Sequence, residues 1–276
     1  MRASESPADG ERRANHAHRM VFSISIAAIS RLLILRDRIL GWTHCGRGPE
    51  GIHERASRHA IPSGTHLLDA VFVEPARVPA RARVLLCHGI GETVEQWFGV
   101  QQLLAARGVA SLVFDYAGYG KSTGRPSWEQ FEMDAVAAFG VLQERAPGLP
   151  VSVLGFSLGS GVAAAAIHRV PAERLILCEA FTSFRNAAAG CGIPRALAGL
   201  VPPIWHAQAA LAKCDLPVLV VHGEEDRLFS VAMAHEIASW CKPAAEALLV
   251  PATTHNQPFR KPHLSYWGPI IEWLGR

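Results

Sequence analysis

From about residue 58 onward, short apolar runs alternate with stretches of helical spacing. His66–Val73 (HLLDAVFV) predicts a strand, entered from the turn Ile61-Pro-Ser-Gly. Arg83–Cys87 (RVLLC) is a brief apolar run bounded by charge and by His88-Gly89, the pattern of a strand buried on both faces. Thr93-Val-Glu-Gln96 has the form of a capping box and opens a helix through Ala106, stopped near Gly108. Further strands are predicted at Val109–Asp115, Val151–Gly155, Arg174–Cys178, Pro217–His222 and Ala247–Val250. Helices are predicted from Ser127 to about Arg145, then at Leu158–Arg169, Val231–Cys241 and Tyr266–Leu274. This alternation specifies parallel βαβ units and hence an α/β sheet covered by helices on both faces. Chemistry in such sheets gathers at the carboxyl ends of strands.

Composition narrows the class. Of 276 residues, 49% are apolar and 18% charged, enough for a packed α/β domain and incompatible with disorder throughout. The net charge of +3 is uneven: residues 1–60 carry ten arginines against six acids, and the remainder is one unit negative. An almost neutral body argues against a nucleic-acid groove. The six cysteines show no paired spacing, which points to a reducing, cytoplasmic compartment and against a disulfide framework or zinc ribbon.

Residues 1–50 read as an extension to a domain at 51–276, with polar residues 1–19 expected to be disordered. The apolar stretch Met20–Ser30 is too short for a spanning helix, which needs about 20 residues. A signal peptide lacks a convincing cleavage site here. A surface-lying amphipathic helix would give residues 20–40 peripheral membrane contact. The alternatives are a helix packed on the domain, or translation that starts at Met20.

The candidate chemistry lies at strand ends. Gly155-Phe156-Ser157-Leu158-Gly159 stands between a predicted strand and an Ala-rich helix. Small residues there let the chain turn sharply and lift Ser157 above the sheet, next to a helix N-terminus that favours developing negative charge. A serine needs a base, and the base an orienting acid. His255 follows the strand Ala247–Val250, and Asp226 follows Pro217–His222 within His222-Gly-Glu-Glu-Asp226. Glu224, Glu225 and Glu179 are rival acids, with Asp226 preferred. His222 reads as a core histidine. His88-Gly89-Ile90-Gly91-Glu92 can aim the Ile90 N–H inward beside that of Leu158 as an oxyanion hole, His88 bracing the loop. Tyr119-Gly120-Lys121-Ser122 mimics the end of a P-loop, but Asp115 stands where glycine is required, and Pro126 follows. Lys121 is expected to be solvated or paired with an acid such as Asp115.

Taken together, CHGIGE at Cys87–Glu92, FDYAGYGKS at Phe114–Ser122, GFSLGSG at Gly155–Gly161, HGEEDRLF at His222–Phe229 and TTHNQP at Thr253–Pro258 resemble the α/β-hydrolases. The likeness is to small-cap serine hydrolases of the serine aminopeptidase-like and depalmitoylase-like branch. It covers residues 58–276 and implies a mostly parallel eight-stranded sheet, a Ser157/Asp226/His255 triad, and Ile90 with Leu158 as the hole. Asn256-Gln257 after the histidine matches the family only loosely. Residues 181–216 occupy the usual cap position and predict a short lid with a helix at Arg195–Leu200. Trp97, Phe98, Phe156, Phe181 and Trp205 are candidates to line an acyl pocket. The expected activity is hydrolysis of a small-molecule ester or thioester with an apolar acyl chain, without metal or cofactor. A peptidase or amidase on the same triad, and a non-catalytic binding protein of the same fold, are the alternatives.

Overall fold

A computed structural model describes residues 54–145, 148–191, 201–242, 245 and 247–276. The 1–50 extension, its apolar stretch and the helix expected at Arg195–Leu200 lie outside those residues. The strands are β1 (Glu54–Ser63), β2 (His66–Pro75), β3 (Ala82–Cys87), β4 (Val109–Phe114), β5 (Val151–Phe156), β6 (Arg174–Cys178), β7 (Val218–Gly223) and β8 (Ala247–Val250). They form one sheet in the order β1-β2-β4-β3-β5-β6-β7-β8. The β1–β2 and β2–β4 pairs are antiparallel, and every pair from β4 to β8 is parallel.

β3, β4 and β5 are buried at every position, as strands with helices on both faces must be. Alternation sorts their side chains between two cores. Val84 and Leu86 face α1 (Val94–Ala105) and the closing helix α8 (Leu264–Leu274), in a cluster with Trp97, Tyr266 and Trp267. Leu85 and Cys87 face α2 (Trp128–Glu144) and α3 (Leu158–Ala166), with α6 (Val231–Ser239) farther along that side. α4 (Phe184–Gly190), α5 (Ala207–Leu211) and α7 (Gln257–Arg260) are short.

The predicted caps form. Thr93 and Gln96 make a reciprocal capping box on α1, and Ser127 Oγ accepts the Gln130 N–H at the start of α2. The helix expected at Leu158–Arg169 ends at Ala166 and finishes as a 3₁₀ turn, Ile167–Arg169.

β1 is the element that the hydrophobic pattern does not announce. Its register, from Glu54 opposite Pro75 to Ser63 opposite His66, is closed by a turn at Gly64 with φ +59°. Most of β1 is exposed, so backbone pairing rather than an apolar face holds it. The Arg58 guanidinium adds a link to Asp69 on β2 and to Glu95 on α1.

Chain direction across the sheet reverses at β3, since β4 lies on one side of it and β5 on the other. The loops after β3 and β5 therefore flank the crevice where α/β sheets bind ligands.

Candidate active site

β5 ends at Phe156, and the chain turns into α3 at Ser157, whose φ of 51° and ψ of −118° place a serine in a conformation that side chains rarely adopt. Close packing fixes this turn. A Cβ on Gly159 would overlap the Cys87 carbonyl, and one on Gly155 would overlap the Gly159 carbonyl. Glycine at both sites lets the first turn of α3 press against the end of β3. That turn therefore lies against the Cys87 and His88 carbonyls, where the His88–Glu92 loop begins, and the Leu158 amide, first in its helix, has no intrahelical acceptor.

Three side chains from three strand ends meet above this turn. His255 Nε2 lies 2.9 Å from Ser157 Oγ, and His255 Nδ1 lies 2.7 Å from Asp226 Oδ2. The other Asp226 oxygen accepts the backbone N–H groups of Leu228 (2.7 Å) and Phe229 (3.1 Å). Burial works against the Asp226 charge. The hydrogen bond and charge of His255, with the Phe229 N–H, outweigh it and hold this carboxyl below its ordinary value. Asp226 is therefore an acceptor, which puts the ring proton of His255 on Nδ1 and leaves Nε2 to accept from the serine. Phe156 and Phe229 clamp the imidazole, with ring centroids at 5.6 and 5.1 Å.

The rival acids separate clearly. Glu224 and Glu225 are exposed. Glu179 is buried behind Asp226, where its carboxyl accepts the Gly223 N–H (2.9 Å) and the Tyr266 O–H (2.9 Å). His222 is buried, with Nε2 3.0 Å from the Phe229 carbonyl. Oxygen or nitrogen atoms of Glu179, His222 and Asp226 lie within 4.8 Å of one another, a donor set that metals also use.

In the loop after β3, the Glu92 carboxylate accepts the Gly89 N–H (2.7 Å) and the Trp97 indole N–H (2.8 Å). Tyr116 O–H donates to the His88 carbonyl at 3.1 Å, and His88 Nδ1 lies 2.9 Å from the Gly89 carbonyl. His88 thus braces the loop that carries Ile90. Glu92 has a larger part in that loop than the sequence indicated; its distance of three residues from Gly89 is the only prior signal. The Lys121 ammonium is exposed and 3.6 Å from Glu95, while its backbone N–H donates to Asp115.

The expected pocket residues divide into two groups. Phe181 and Trp205 line a cavity of about 320 Å³ along α3, with Ser160, Gly161, Ala164 and Ile204. Trp97 and Phe156 do not line it. Trp97 is fully buried, stacked on Phe259 and edge-on to Trp267, and Phe156 packs edge-on against it. Both belong to the core between α1, the sheet and α8, where they pack with Phe259 and Trp267.

A reversing parallel sheet with a strained serine turn after its fifth strand, an acid after the seventh and a histidine after the eighth is the α/β-hydrolase fold. Residues 78–205 match the family model described as serine aminopeptidase, S33. The lysophosphatidylserine lipase ABHD12 of Macaca fascicularis is 28% identical over 64% of this chain and 49% of its own length. An uncharacterized protein of Mycobacterium tuberculosis is 28% identical over 63% of each chain. The present chain thus spans about half the length of the lipase. The Pyrococcus furiosus esterase Pf2001 shares the fold, with a TM-score of 0.67 and 18% identity over 83% of this chain and 95% of that one. Among the described residues, no helix is long and apolar enough to cross a membrane.

Proposed function

We propose that this protein is a serine hydrolase that cleaves carboxylic ester or thioester bonds of apolar acyl substrates through an acyl-enzyme. The observation that carries this reading is the continuous path from Ser157 Oγ through His255 to Asp226, at 2.9 and 2.7 Å. His255 Nε2 takes the hydroxyl proton as Ser157 attacks the acyl carbonyl, while Asp226 holds the ring in the competent tautomer and stabilises its charged form. The Ile90 and Leu158 amides bind the oxyanion of the tetrahedral intermediate, each donor worth about 3–4 kcal/mol. His255 then passes its proton to the leaving group, and water activated by the same imidazole releases the acid.

The lipase and esterase names among the relatives support an ester substrate. The acyl chain is assigned to the cavity lined by Phe181 and Trp205. Its volume is near the lower end of the range for ligand pockets, about 300–1,000 Å³, which favours a medium chain. A panel of p-nitrophenyl esters from acetate to palmitate, with an aminoacyl p-nitroanilide beside it, tests this reading. Highest kcat/KM on a medium-chain ester is expected. Preference for acetate, or for the anilide, refutes the substrate class.

A further inference from the structure

Glu179 directly follows β6 with a φ of +46°, a conformation uncommon for any residue with a side chain, and it is wholly shielded from solvent. The strained backbone thus sits at a buried acid directly behind a candidate catalytic carboxylate. Its two oxygens differ in role. Oε1 receives both the Tyr266 O–H and the Gly223 N–H at 2.9 Å. Oε2 is 3.7 Å from His222 Nδ1, a buried ring nitrogen without a hydrogen-bond partner, and receives only a longer 3.2 Å bond from Gly223. Asp226 completes the cluster, its Oδ2 being 3.5 Å from His222 Nε2.

Two buried carboxylates with oxygens within 4.8 Å of each other repel strongly unless one is neutral. His222 supplies no compensating charge, because burial drives its pKa down. Among the described residues, the titratable groups facing Glu179 are Asp226 after β7, His222 on β7, Tyr266 on α8 and Cys178, with no lysine or arginine. The geometry points to Glu179 as a positioning residue: an uncharged carboxylic acid whose Oε2–H donates to Asp226, so that Asp226 carries the only negative charge of the pair and is held square to His255. Burial, followed by the nearness of Asp226, pushes the Glu179 carboxyl up to about 9, in keeping with this role. The same hydrogen bond helps to keep Asp226 ionised. Oε1 and both Asp226 oxygens already accept short hydrogen bonds, so Oε2, with only the longer Gly223 bond, is the oxygen that carries the proton.

This inference rests on the Ser157–His255–Asp226 reading. The experiment compares wild type, E179Q and E179A by fluorophosphonate labelling, thermal melting and the pH profile of kcat/KM on a p-nitrophenyl ester. Glutamine reproduces a neutral acid, with its carbonyl at Oε1 and an N–H donor at Oε2. E179Q is expected to keep kcat within about threefold of wild type and to leave the acid limb of the profile in place. E179A loses kcat on the order of 10- to 100-fold with KM nearly constant, the cost of one hydrogen bond to a charged group. If E179Q moves the acid limb down by a pH unit or more, Glu179 is ionised and the proposal is wrong. Wild-type kcat in E179A overturns it equally. Should E179A fail to fold, E179Q decides alone. Loss of wild-type activity on dialysis against a chelator, restored by zinc, replaces the proton with a metal ion. A wild type that does not label at all refutes the hydrolase reading instead.

Discussion

Ser157 Oγ and His255 Nε2 stand 2.9 Å apart although 98 residues separate them in the chain. Their meeting is a consequence of strand order: β5, β6, β7 and β8 are consecutive and parallel, so the loops after them open on one rim of the sheet. Asp226, on the loop between, receives its position from the Leu228 and Phe229 amides rather than from the histidine alone.

Removing the negative charge of Asp226 tests the tautomer argument. Asp226→Asn preserves the shape but no longer enforces a proton on Nδ1. A fall in kcat of about 10³- to 10⁴-fold is expected, with KM changed only severalfold. Steady-state kinetics on one p-nitrophenyl ester is sufficient; a loss below tenfold would assign the acid elsewhere.

Gly159→Ala is expected to destabilise the protein by about 3 kcal/mol or more, because the new methyl overlaps the Cys87 carbonyl where neither backbone can retreat. Chemical denaturation followed by circular dichroism reads this out. An unaltered midpoint would mean that α3 and β3 do not touch as described.

The two groups of aromatic residues give opposite outcomes. Trp97→Phe removes the indole bond to Glu92, at a cost of about 1.5–3 kcal/mol, and leaves acyl-chain preference as it was. Ala165→Phe narrows the cavity beside Phe181 and Trp205 and shifts the preference toward shorter esters. A chain-length panel on both variants checks the assignment, which fails if Trp97→Phe alone moves the optimum.

A pH signature resides in Asp115, behind the His88 loop. Burial raises its pKa from an ordinary 3.8 to about 7, against the opposing Val94 N–H, while burial lowers His88 to about 4. Between pH 4 and 7 the folded protein holds more protons at Asp115 than the unfolded chain, so this contribution declines as pH rises, by up to about 1.4 kcal/mol per unit. It is fully present below pH 4 and lost above 7. His88 acts in the opposite direction over roughly the same window, so the stability difference between wild type and Asp115→Asn isolates the aspartate. That difference is expected to turn against wild type as pH rises from 4 to 7; a constant difference would show Asp115 to be ionised throughout.

The parallel core was legible because β3 to β8 are short apolar runs followed by loops with polar chemistry, and nothing but a two-sided strand places such runs between amphipathic helices. β1 was not legible: Arg55 to Ala60 carry no apolar alternation, and this strand exists through its ladder with β2. The positions of Ser157, Asp226 and His255 just after strands were readable, and the structure brings these three side chains together. Glu179 shared that signal and so competed with Asp226; the structure separates them by partner, since Asp226 bonds His255 Nδ1 while Glu179 accepts from Gly223 and Tyr266. Trp97 looked like a pocket residue because the sequence places it near the His88–Glu92 loop, whereas the side of α1 it occupies is decided by packing on Trp267 and Phe259.

Labelling with a fluorophosphonate probe, which reacts only with an activated serine, reads out the state of Ser157 itself. Wild type should take up one equivalent, and Ser157→Ala, still folded, should take up none. An unlabelled wild type, or equal labelling of both proteins, would contradict the account.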